Sequence, residues 1–168
     1  MKKFFRAFAF WAVVFFGCGN ALVSASSATL PLEKVALPNA DWTWAKPDKD
    51  EATSRIMYPK KTGQAVNLRV HTYEVPVSAK SFLDQVRSNL AARDDYKGAE
   101  IQLIGTQQID GTSWDVFGIK RKDEINQEIW GRKPSTDVVM MIIYTGAGNY
   151  FQDYYGQFKE FIKTLSKN

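Results

Sequence analysis

Cysteine and histidine are nearly missing from this 168-residue chain. There is one of each, Cys18 and His71. A single cysteine excludes an internal disulfide and a thiolate metal cluster. A single histidine excludes a zinc centre built on two histidines and a haem held by a histidine pair. Long apolar runs are missing as well. The longest, Ala7 to Cys18, is about a dozen residues, where a membrane span needs about 20. Neither a G-x-S-x-G nucleophile elbow nor an H-E-x-x-H metal motif occurs. These absences point to no metal and no cofactor, and they leave little catalytic machinery.

The N-terminus carries an address. Lys2, Lys3 and Arg6 precede the apolar run, and small residues follow it. That is the layout of a secretory signal over residues 1–25. Val23 and Ala25 occupy −3 and −1 for cleavage between Ala25 and Ser26. Ser26 and Ala28 offer a second site, before Thr29. A lipidated Cys18 is the alternative. It needs a lipobox, and Phe15-Phe16-Gly17 fits one poorly, because Phe16 is bulky where a small residue is wanted. The expectation is a periplasmic protein that loses Cys18, with a lipoprotein anchored at Cys18 as the alternative. Membrane contact then requires lipidation or a retained signal.

Charge of one sign is scarce once the signal is set aside. The whole chain holds 22 Lys and Arg against 18 Asp and Glu. Residues 1–25 take three bases and no acid, which leaves 19 against 18. Nucleic-acid binding needs a basic patch or stripe. Lys120-Arg121-Lys122 is followed at once by Asp123-Glu124, so it reads as a solvated turn. No nucleic-acid partner is expected.

What is present is the patterning of one domain. Residues 26–37 contain Pro31 and small residues and read as a leader. Residues 38–168 read as the domain. Trp42 and Trp44 fall on one face of a strand. Lys46 to Glu51 is a polar loop, and residues 55–59 form a short strand stopped by Pro59. From Ala65 to Val77, Val66, Leu68 and Val70 alternate with Asn67, Arg69 and His71. The pattern predicts a strand covered on one face, with His71 on the exposed polar side. Ser78 suits an N-cap, and Phe82, Leu83, Val86 and Leu90 recur at helical spacing, which predicts a helix over 78–93.

Asp110-Gly111 between apolar strands predicts a hairpin with a type I′ turn. A short strand at 128–130 then runs into an exposed loop, Gly131-Arg132-Lys133-Pro134. Val138 to Tyr144 is apolar at every position, which marks a central strand. Phe151, Phe158, Phe161, Ile162 and Leu165 form the apolar stripe of a helix over 149–166, and Gly156 within it suggests close packing on the sheet. Strands in blocks with single helices between them give the class α+β with an antiparallel sheet.

Three stretches carry a resemblance. Pro38 to Trp42 is similar to an "lP.gW" opening strand. Val77 to Lys120 gives a helix, a charged end and a hairpin whose turn holds a glycine. Val138 to Leu165 gives an apolar strand and a terminal helix. Together they resemble the PsbP-like and DcrB-like fold family, shared also with the Ran-binding protein Mog. The resemblance implies an α/β/α sandwich with a central antiparallel sheet and two main helices. It implies a small accessory or binding protein without an agreed enzymatic site.

Two functions from different classes follow. The first is a non-enzymatic envelope protein, monomeric, that contacts an unknown protein partner. Trp130, Arg132 and Lys133 are its candidate contact residues, since Trp and Arg are enriched at binding hot spots. The second is a small periplasmic enzyme or carbohydrate-binding protein. It would use His71, paired acids such as Asp94/Asp95 or Asp123/Glu124, and exposed tryptophans. Core packing is favoured for Trp42, Trp44 and Trp114, and it is weighed above a contact role for Trp130 as well.

Overall fold

Alternating apolar residues build one seven-stranded antiparallel sheet in a computed structural model, which describes Leu32, residues 35–46 and residues 54–167. Cys18, Ala25, Ser26 and nearly all of the expected 46–51 loop lie outside the described residues. The strands are β1 (Trp42–Trp44), β2 (Ser54–Pro59), β3 (Val66–Glu74), β4 (Glu100–Ile109), β5 (Thr112–Lys120), β6 (Ile125–Ser135) and β7 (Val138–Ala147). Helix α1 (Ala79–Ala91) follows β3, and helix α2 (Tyr150–Ser166) closes the chain. The sheet order is β1-β2-β3-β7-β6-β5-β4. The apolar strand at 138–147 is therefore the middle strand, and its residues 138–146 are buried on both faces.

Among the described residues, each face of the sheet carries one α-helix. On one side α2 lays Phe151, Phe158, Phe161, Ile162 and Leu165 against Leu68, Val70, Ile142 and Tyr144. On the other side α1 lays Phe82, Leu83, Val86 and Leu90 against Phe117, Ile129, Val139 and Met141. Each such side chain contributes about 1.5–3 kcal/mol when fully buried. The class is α+β, arranged as an α/β/α sandwich. Both helices match the expected spans to within their ends. Ser78 caps α1 by accepting from the Ser81 amide at 3.1 Å. Asn149 holds the N-cap position of α2 without a side-chain cap bond.

Three buried indoles are tied by hydrogen bonds. Trp42 Nε1 donates to Gln157 Oε1 at 2.7 Å, and Trp114 Nε1 donates to Ser166 Oγ at 2.9 Å. Both bonds join the sheet to α2. Trp130 Nε1 donates to Glu128 Oε2 at 2.9 Å, and Tyr155 on α2 donates to the same carboxylate. Val35 is buried with this core, and Leu32 and Leu37 pack on it.

Three expectations need correction. β3 is covered on both faces: Asn67, Arg69 and His71 are buried, so its polar face is not a solvent face. The expected loop at 131–134 is strand, because β6 continues to Ser135 with a register shift between Arg132 and Ser135. Gly156 does not approach the sheet. A Cβ there would meet nothing within 4 Å, so the residue faces outward. The close approach is made by Gly131 instead, where a Cβ would lie 2.9 Å from Leu83 Cγ of α1.

Candidate functional site

The sequence candidates do not gather into one site. Trp130 is 1% exposed and lies on the α2 side of the sheet, edge-to-face with Trp114 and Phe158 at 6.2 and 5.7 Å. It is core, because β6 runs past it under α2. Arg132 is on the same side and is 7% exposed. Its guanidinium carbon lies 5.3 Å from the Trp114 ring centre, and its Nε is sealed from solvent without an acceptor. Burial lowers its pKa. Lys133 alone of the three is exposed.

His71 is not a surface histidine. It is 7% exposed, stacked on Tyr73 at 5.7 Å, with Nε2 sealed and unpartnered. Burial, and secondarily the charge of Arg69, push its pKa down to about 3. It is therefore neutral at pH 7. Ser54, its register partner on β2, has a buried unpartnered Oγ. Two of the candidate acids are taken by neighbouring arginines. Asp95 accepts two bonds from Arg93, both 2.9 Å, and Asp123 accepts two from Arg121, 3.1 and 2.7 Å. Trp42 and Trp114 are buried, and Trp44 is half-buried beneath Arg55 at 5.8 Å. A sugar would find little open aromatic face on these three.

Among the described residues, the most open apolar surface lies elsewhere, at the edge of the sheet. β4 pairs only with β5, so its outer backbone groups are free of any strand among the described residues. The ladder shifts between Leu103 and Gly105, which leaves Ile104 as the extra residue of a bulge. Gly105 takes φ +94°, a conformation that glycine adopts without a Cβ penalty. The bulge leaves Leu103 57% exposed and Ile104 40% exposed. Beside them α1 and the edge enclose a small cleft of about 50 Å³. Leu83, Leu103, Phe117 and Val116 make it apolar; Lys80, Asp84, Thr106 and Asp115 make it polar. Lys80 and Asp84 pair at 2.8 Å, and Thr106 Oγ1 donates to Asp115 at 2.8 Å. The hydrogen bond from Lys80 is the main reason the Asp84 pKa falls.

Sequence reasoning missed this edge, although a signal was present. Leu103-Ile104-Gly105 breaks the alternation of a strand with two adjacent apolar residues and a glycine. That is the mark of a bulge. No metal-binding cluster of three or more His, Cys, Asp or Glu occurs among the described residues. No described helix is long and apolar enough to cross a membrane.

No family model matches the chain, and no curated protein matches it in sequence. Similar solved structures are found. The solution structure of cyanobacterial PsbP from Synechocystis matches with a TM-score of 0.52 at 12% identity, over 76% of this chain and 81% of that chain. A STAR-related lipid transfer protein from Xanthomonas axonopodis matches at 11% identity with a TM-score of only 0.31, over 76% of this chain and 99% of that chain. The likeness to DcrB and to Mog rests on sequence order alone. The seven-stranded antiparallel sheet with one helix on each face is a PsbP-like fold.

Proposed function

We propose that the chain is an exported, non-enzymatic accessory protein that holds an extended segment of a protein partner along the β4 edge. The observation that carries this reading is the exposed edge itself. It offers ten residues of strand, two exposed aliphatic side chains at a bulge, and an apolar cleft beside them. Unpaired strand edges template pairing with another chain. In β-strand addition the main chain supplies affinity and side-chain pockets supply specificity. The cleft is several times the space one water occupies, which suits one aliphatic side chain of the incoming strand.

Residues 1–25 direct export, with cleavage before Ser26 and a monomeric product in the periplasm. N-terminal sequencing of protein from the envelope fraction checks this, and mature protein starting at Cys18 overturns it. The edge is tested with a photo-crosslinking residue at position 103, and at exposed Glu160 on α2 as control. The expected result is one partner captured from position 103 only. Adding that partner then slows hydrogen exchange of β4 amides. Equal capture from position 160, or unchanged β4 exchange, defeats the reading.

A further inference from the structure

Arg132 lies near the end of β6, in register with Met140 of β7. One face of its guanidinium rests on the ring of Trp114 at 5.3 Å. Trp114 cannot move aside, being fully buried and bonded to Ser166 of α2. A guanidinium carries five N–H donors and stays protonated at any ordinary pH. The Nε of Arg132 is sealed and makes no hydrogen bond, its Nη groups are not sealed, and no described acidic side chain forms an ion pair with it. Arg93 and Arg121 make the contrast. Both are more exposed, yet each is held by a carboxylate through two bonds.

A buried charge without a counter-charge is costly, because desolvation is not repaid. The face of an aromatic ring repays only part of it. Arg132 is thus a largely covered positive charge with no counter-charge among the described residues. We infer that Arg132 is the seat of a carboxylate brought by a protein partner, either an acidic side chain or a chain end. Nε is sealed, so the open Nη end of the planar fork is what can meet a carboxylate in two parallel bonds. A single guanidinium matches the single charge of a carboxylate, where a phosphate group carries more. This seat is on the α2 side of the sheet, so it stands or falls apart from the β4 edge.

The test follows the Arg132 Nε–Hε signal by NMR, titrating sodium acetate against sodium chloride at equal ionic strength. The signal shifts to saturation with acetate and not with chloride. The thermal midpoint of the wild-type protein rises by about 2–4 °C at saturation. Arg132→Met, which removes the charge, shows no such rise. Arg132→Lys, which keeps the charge and loses the fork, shows less than half of it and serves alone if the methionine variant does not fold. An acetate-dependent rise in Arg132→Met equal to wild type overturns the inference, as does a signal that does not saturate. Phosphate shifting the signal at lower concentration than acetate overturns the carboxylate assignment.

Discussion

Two glycines show how local surroundings set the sign of one substitution. A Cβ on Gly146 of β7 would lie 2.6 Å from the Phe151 Cα and 2.9 Å from its backbone nitrogen. Backbone at the start of α2 cannot yield as a side-chain end can, so Gly146→Ala costs about 1–3 kcal/mol. Gly156 has helical backbone and open space, so Gly156→Ala gains up to about 1 kcal/mol. Urea unfolding of both variants checks the pair, and a gain from the first or a loss from the second contradicts these contacts. His71 adds a pH dependence. Its pKa is about 3 folded against about 6.5 unfolded, so the unfolded chain takes up the proton first as pH falls. The stability it confers is complete above about pH 6.5 and drains away toward pH 3, by up to about 1.4 kcal/mol per pH unit. Urea midpoints at pH 7 and pH 5 should separate in the wild type and converge in His71→Gln. An unchanged separation in the variant assigns the acid sensitivity to other groups.

At the scale of elements, the β4–β5 hairpin rests on two residues with positive φ, Asp110 at 48° and Gly111 at 79°. A Cβ on Gly111 meets nothing within 4 Å, so Gly111→Ala carries a purely conformational cost of about 1 kcal/mol. Chemical denaturation measures it, and a neutral result would mean that the turn relaxes. This hairpin was legible in the sequence, because Asp-Gly between alternating strands has few other solutions. The two helices were legible for a similar reason, since the spacing of Phe82, Leu83, Val86 and Leu90 fits only one period. The course of β6 was not. Gly131 and Pro134 are punctuation in sequence, yet Gly131 makes room for Leu83, and Pro134 lies where the ladder shifts register. The burial of His71 was hidden because polar residues on alternate positions of β3 imitate a solvent face. The burial of Trp130 was hidden for the same reason. Trp130 beside basic residues signals a hot spot only if the chain leaves the sheet there, and it does not.

At the scale of the molecule, β7 is the element both layers share. Its alternate residues enter opposite cores: Ile142 and Tyr144 face α2, while Met141 and Ile143 face α1. Loss of either helix strips one face of the middle strand, so the layers should unfold together. The tryptophans make this measurable. Trp42, Trp44, Trp114 and Trp130 all belong to the α2 side, and the α1 core contains none of the described tryptophans. Tryptophan emission therefore reports one layer, and far-ultraviolet circular dichroism reports both. Val86 of α1 packs only in the core without tryptophan. Val86→Ala removes two buried methyl groups and costs about 1–3 kcal/mol. With the layers coupled through β7, the emission midpoint falls in urea by the same amount as the dichroism midpoint. If emission keeps its wild-type midpoint while dichroism shifts, the α1 layer opens alone. The sheet would then hold two independent cores, and the β4 edge, floored partly by α1, would be the part of the molecule that opens first.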